Sequence, residues 1–127
     1  MKSSAKVVVI GGGVVGAGTL YHLAKKGWTD VVLVERKELT SGSTWHAAGL
    51  LPLFNMSYSV GKLHQYSVDF YHELEKETGM SVGFSVVSNI RLANCENRMD
   101  EYKYYAGVAK TVGVQTKFLT PEQVKEV

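Results

Sequence analysis

Lys6-Val7-Val8-Val9-Ile10-Gly11-Gly12-Gly13-Val14-Val15-Gly16 decides the fold of this chain. Val7 to Ile10, four consecutive β-favouring apolar residues, read as a strand buried on both faces. Glycines then open a segment of helical period, and Gly11, Gly13 and Gly16 fall on the G-x-G-x-x-G spacing of a dinucleotide fingerprint. The first glycine permits a tight turn, the second lets a pyrophosphate reach the backbone, and the third lets helix pack closely on strand. The pyrophosphate then meets free N–H groups at the positive end of the helix dipole. Leu20, Leu23 and Ala24 continue the helical apolar face, and Lys25-Lys26-Gly27 supply a cationic last turn and a stop. A second apolar run, Val31 to Val34, ends at Glu35, which lies 24 residues beyond Gly11. The carboxylate that binds a ribose hydroxyl is expected about 20 residues on, and an acid there repels a 2′-phosphate. A lone fingerprint is equally a glycine-rich turn that binds nothing; strand, turn, helix, strand and acid in this order point to a dinucleotide. Nicotinamide and flavin dinucleotides both remain open at this stage.

Composition sets wider bounds. With 127 residues, 45% of them hydrophobic, the chain fits one small domain or a piece of a larger protein. A net charge of +2 gives no mandate for nucleic acid or an acidic membrane. The single cysteine, Cys95, excludes an internal disulfide and a cysteine-cluster metal site, and reads as a small buried or half-buried side chain. Met1 to Lys6 with its two lysines superficially resembles the start of a secretion signal, but cleaving the apolar stretch behind it would remove the fingerprint. No run approaches the roughly 18 apolar residues of a membrane span. The expectation is a soluble chain of the cytoplasm or an organelle matrix, with neither membrane nor nucleic acid as partner.

Further along, helical spacing predicts a helix over Tyr58 to Thr78, with Val60, Leu63, Ser67, Phe70, Tyr71 and Leu74 inward and Glu73, Glu75, Lys76 and Glu77 outward. Gly79 stops it. Ser85 to Ala93 reads as a strand, Glu96 to Val112 as a helix stopped by Gly113, and Val114 to Leu119 as a short strand. Thr120-Pro121-Glu122-Gln123 has the residues of a helix start: cap, proline at the first position, glutamine at the third. Only two segments suit adjacent parallel strands, so the chain reads as the N-terminal part of a longer protein.

The loop Ser41 to Leu50 is the second concentration of chemistry. Its small hydroxyl residues and glycines let backbone N–H groups turn toward an anion. Trp45 and His46 stand beside them; taken singly, they read as a core anchor and a loop histidine bonded to backbone. Taken together, three segments resemble the N-terminus of the flavin-dependent amine oxidoreductases of the D-amino-acid oxidase type, and more narrowly the dimethylglycine and sarcosine dehydrogenase group. These are Val7 to Glu35, the run Glu38-Leu39-Thr40-Ser41-Gly42-Ser43-Thr44-Trp45-His46-Ala47-Ala48-Gly49-Leu50, and Glu75-Lys76-Glu77-Thr78-Gly79 followed by Ile90-Arg91-Leu92-Ala93.

The resemblance implies an α/β fold: the Rossmann-like FAD-binding βαβ start of a two-domain flavoprotein, incomplete in this chain. Residues 1–79 would begin the FAD-binding domain and 80–127 the substrate domain. It implies backbone contacts from Gly11, Gly13, Val14, Val15 and Gly16 to the pyrophosphate, Glu35 on the ribose and Arg36 near the adenine. Gly42, Ser43, Thr44, Trp45, His46, Ala47, Ala48, Gly49 and Leu50 would wrap the rest of the FAD, with His46 attached to it covalently. Two positions depart from the family pattern: Leu20 stands where a small residue eases helix packing, and Asn89 where glycine is frequent. His22, His64 and His72 lack the spacing of a metal site, so no metal is expected. Tyr102, Tyr104 and Tyr105 read as packing residues, and Arg91 as a solvated strand arginine.

The activity so implied is FAD-dependent oxidative demethylation of an N-methylated glycine such as dimethylglycine or sarcosine. Electron-transfer flavoprotein or oxygen would be the acceptor, and tetrahydrofolate a possible carbon acceptor in the full-length protein. No residue is assignable as a proton-transfer catalyst. The alternatives are an NAD-dependent dehydrogenase and a catalytically inactive relative of the FAD fold.

Overall fold

The computed structural model describes residues 3–127, so the reading of Met1 and Lys2 lies outside the described residues. Its elements are β1 (Val7–Ile10), α1 (Val14–Lys25), β2 (Val31–Val34), a 3-10 turn (Ser43–His46), α2 (Tyr58–Thr78), α3 (Glu96–Thr111) and α4 (Pro121–Val124). They form two compact units, the first ending at Leu50 and the second running Leu51–Val127.

The first unit is a parallel βαβ arrangement, the expected α/β, Rossmann-like start. Val7 pairs with Val31 and Ile10 with Val34. Gly11 N–H donates to Val34 O at 2.8 Å, so the ladder continues into the glycine turn. After α1 the chain reverses at Gly27, whose φ of 86° suits glycine. Strand β1 is not buried on both faces as its apolar run predicts. Val7 and Val9 are half-buried, while Val8 and Ile10 are exposed. The reason is geometric: within this unit α1 is the one helix packed on the sheet, so it covers one face. On α1, Leu20 and Leu23 are half-buried and Ala24 is exposed.

The second unit is helical. Ser57 caps α2, and Gly79 ends it at φ 67°, its N–H donating to Glu75 O at 2.9 Å. Of the predicted inner face of α2, Ser67, Phe70, Tyr71 and Leu74 are covered, together with Gly61, His64, Gln65, Val68 and Glu75. Val60 and Leu63 are exposed. Two contacts widen the covered face beyond the apolar residues. Gly61 is buried against Val112, and Glu75, expected to face outward, accepts from Ser81 Oγ at 3.0 Å and Val82 N–H at 2.8 Å. These bonds lead the chain back along the helix, where Phe84 stacks on Tyr71 at 5.8 Å. The buried apolar residues of this unit, Ala106, Ala109 and Val112, lie along and just beyond α3.

Ser85 to Ala93 and Val114 to Leu119 form no strand among the described residues. An alternating pattern records which side of a segment is apolar; a strand also needs a neighbour to complete its hydrogen bonds. Thr120 and Gln123 make the predicted capping box at α4. Cys95 is exposed rather than buried, because it occupies the N-cap of α3 at the surface. Tyr102 and Tyr105 pack against Phe54 at 6.3 and 6.1 Å, whereas Tyr104 is exposed. Arg91 is neither on a strand nor simply solvated: its guanidinium lies 4.9 Å from the Phe54 ring centre and donates to Phe54 O at 3.3 Å.

A Cβ on Gly61 would lie 3.2 and 3.3 Å from the two γ-methyls of Val112. Gly61→Leu is therefore expected to destabilise the full-length protein by about 1–3 kcal/mol, read as a lower urea midpoint at unchanged slope. Gly107→Ala, at an α3 position with open space for a methyl, is the control and should be neutral or stabilising.

Candidate functional site

The turn between β1 and α1 is built around backbone atoms with no room for side chains. Gly11 has φ 105°, closed to L side chains in practice. A Cβ on Gly16 would lie 1.8 Å from Gly11 O, so the strand end and the first helical turn meet at bare backbone. Gly13 is the N-cap of α1 and has no side chain to cap it. The cap comes from thirty residues on: Thr44 Oγ1 accepts from Val14 N–H at 2.9 Å. Ala17 N–H bonds to Gly13 O, leaving Val15 and Gly16 N–H at the positive end of α1 without intrahelical acceptors. This is an anion-accepting geometry.

Glu35 follows β2 directly. Its Oε2 accepts from Gly12 N–H at 2.7 Å and its Oε1 from Lys37 N–H at 2.9 Å. These two amide bonds, Gly12 the stronger, hold the carboxyl below the usual carboxylate range despite some desolvation. The acid is thus an oriented acceptor beside the glycine turn, placed to receive hydroxyl donors on its remaining lone pairs.

The chain then closes over the turn. Gly12 is the buried residue here, and its O accepts from Thr40 N–H at 3.1 Å. Thr40 has φ 66°, the only positive φ outside glycine among the described residues. For a β-branched residue that conformation costs on the order of 1–3 kcal/mol. It reverses the chain into the 3-10 turn Ser43–His46, whose Trp45 N–H donates back to Thr40 O at 3.1 Å. His46 is exposed, and its Nδ1 lies 3.0 Å from Gly42 O. A carbonyl accepts only, so Nδ1 carries the proton in the neutral ring and Nε2 is the basic nitrogen.

A cavity of about 540 Å³ opens between turn and loop. Of the sequence-predicted residues, Gly11, Gly13, Val14, Val15, Gly16, Glu35, Arg36, Gly42, Ser43 and Thr44 line it. Trp45, His46, Ala47, Ala48, Gly49 and Leu50 do not; they follow the loop onward, with Trp45 and Leu50 about three-quarters exposed. Ser41, in the loop whose hydroxyls and glycines the sequence marks as anion-facing, lines the cavity too, and Val9, Ile10, Thr19, Lys37 and Thr40 line it without having been predicted. Ile10 and Lys37 adjoin predicted residues, a signal that adjacency alone would have supplied; Thr19 lies one helical turn beyond Val15, to whose carbonyl its hydroxyl donates. Among the described residues no cluster of histidine, cysteine and acids fits a metal, and no helix is long and apolar enough to cross a membrane.

Comparison with known proteins agrees with this geometry. The family described as FAD dependent oxidoreductase (DAO) matches residues 6–127. Mitochondrial dimethylglycine dehydrogenase of Homo sapiens is 45% identical over 126 residues, 99% of this chain and 14% of that protein. Mitochondrial sarcosine dehydrogenase of Homo sapiens is 44% identical over 126 residues, 98% of this chain and 14% of that protein. Among solved structures, L-proline dehydrogenase from P. horikoshii superposes with a TM-score of 0.89 at 28% identity, covering 99% of this chain and 33% of that one. The chain thus spans about one-seventh of the length of these two curated relatives.

Two outcomes follow from the geometry. Gly16→Ala forces the strand end and helix apart, and full-length protein carrying it should bind FAD at least about tenfold more weakly in a fluorescence titration. Glu35 has a folded-state pKa below its unfolded value, so its stabilising effect is present above the unfolded pKa and lost as pH falls through the folded one. In flavin-free protein, the melting-temperature advantage of wild type over Glu35→Gln should therefore shrink as pH drops from about 6 to about 3.

Proposed function

The chain belongs to the FAD dependent oxidoreductase family, and from that premise we propose that it binds FAD as the N-terminal part of an enzyme that oxidatively demethylates an N-methylated glycine. The observation that carries the reading is the cavity in which a bare helix N-terminus, an oriented carboxylate and a folded-back hydroxyl loop meet. These groups fit a dinucleotide. Val15 and Gly16 N–H, with the backbone of Gly11, Gly13 and Val14, receive the diphosphate. Glu35 accepts the adenosine ribose hydroxyls, and Arg36 lies toward the adenine. Gly42, Ser43 and Thr44 close the near side. Trp45 to Leu50 lead the chain on toward the flavin, with His46 as the covalent attachment point.

Bound FAD supplies a two-electron acceptor for the substrate C–H bond. The protein's share lies in binding and orientation. His46 suits attachment because the Gly42 carbonyl holds Nδ1–H, which leaves Nε2 as the free nucleophilic nitrogen. The substrate class rests on likeness to dimethylglycine and sarcosine dehydrogenases. Electron-transfer flavoprotein or oxygen takes the electrons, and the released one-carbon unit passes to water or tetrahydrofolate. In this reading residues 1–79 belong to the FAD-binding domain and 80–127 begin the substrate domain, with proton transfer served by residues outside this chain.

The test is a denaturing gel of the full-length protein viewed for flavin fluorescence. A fluorescent band comigrating with wild type and absent from His46→Ala is expected. Fluorescence that persists in His46→Ala assigns the tether elsewhere. Wild type with no flavin, covalent or released, but with tight NADH binding would replace the proposal by a nicotinamide enzyme. On the same preparations, dimethylglycine and sarcosine should bleach the wild-type flavin absorbance under anaerobic conditions.

A further inference from the structure

Thr40 is a costly choice for its position. It holds φ 66°, where glycine is free of strain and a β-branched residue is not. Its peptide groups explain the conformation: the N–H donates to Gly12 O and the C=O accepts from Trp45 N–H. Both bonds are made by backbone, and a glycine would make them equally well. The side chain therefore needs a reason of its own. The Thr40 side chain is exposed to the cavity, which the residue lines with Gly11, Gly13 and Thr44. Backbone strain kept at the wall of a binding cavity, where glycine would relieve it, points to a role for the side chain in binding.

We propose that the Thr40 hydroxyl donates a hydrogen bond to the diphosphate of the bound dinucleotide, making Thr40 a ligand-binding residue; this rests on the dinucleotide reading above. Two features favour the diphosphate over the ribose. Thr40 is bonded to Gly12, next to the N-cap Gly13 from which the anion-accepting helix end begins. The ribose hydroxyls, themselves donors, have an acceptor in Glu35, whereas an anionic phosphate oxygen is the strongest acceptor for a hydroxyl donor.

The experiment titrates ADP and adenosine separately into full-length protein made in riboflavin-starved cells, comparing wild type, Thr40→Gly and Thr40→Ser. Thr40→Gly keeps the turn and removes the hydroxyl; its melting temperature without ligand should not fall. Its ADP affinity should drop about tenfold, with adenosine changed by less than about twofold. Thr40→Ser should restore ADP binding. Unchanged ADP affinity in Thr40→Gly, an equal loss for adenosine, or a Thr40→Ser protein as weak as Thr40→Gly overturns the assignment. Wild type that binds neither probe overturns the dinucleotide reading itself, a result distinguishable from failure of Thr40 alone.

Discussion

The backbone N–H and C=O of Gly12 hold the site together. Its N–H is bonded to the Glu35 carboxylate and the Gly12 carbonyl accepts from Thr40 N–H. One buried residue thus fixes three chain segments: the turn after β1, the acid after β2 and the entrance to the loop. The space beside it is tight: a Cβ there would lie 3.1 Å from Glu35 Cβ and 2.5 Å from Leu39 Cδ2, the movable end of an exposed side chain. Gly12 is not one of the three fingerprint glycines, yet the fingerprint's neighbours are positioned through it.

From that anchor the cavity acquires two ends of opposite character. Val15 and Gly16 present backbone donors at a positive helix end, and Glu35 presents an acceptor of full negative charge. A ligand with an anionic centre and a hydroxyl-bearing flank satisfies both; a simple anion satisfies one and meets repulsion at the other. Thr44 belongs to the same arrangement, because its hydroxyl caps Val14 N–H and so ties the loop to the helix end.

Much of this was legible in the sequence, and what was not has identifiable causes. The glycine spacing, the acid after the second apolar run and the bounds of α2 all depend on local chemistry, and local chemistry is what residue order records. Ser57, Gly79 and the Thr120–Gln123 capping box are the clearest instances. The covered face of α2 is wider than its apolar residues announce because a glycine, which carries no hydrophobic signal, is the residue Val112 packs on, and because Glu75 turns to hold the 81–82 backbone. The segments at 85–93 and 114–119 carry strand-like patterns without a strand beside them. Thr40 is illegible for a different reason. Nothing in its residue type advertises a left-handed backbone, which the hydrogen bonds on either side of it impose.

The two-stranded sheet has a consequence for handling the protein. With β2 on one side of β1, the backbone groups along the other side of β1 pair with no strand among the described residues, and Ile10 beside them is 86% exposed. Such an edge accepts any extended segment of suitable length, whether a neighbouring strand of the same protein or the same strand of another copy. Protein in which that edge stays open while chains are concentrated or heated enters a race between correct pairing and self-association. Its apparent heat tolerance then depends on concentration and heating rate, because the edge template removes molecules irreversibly.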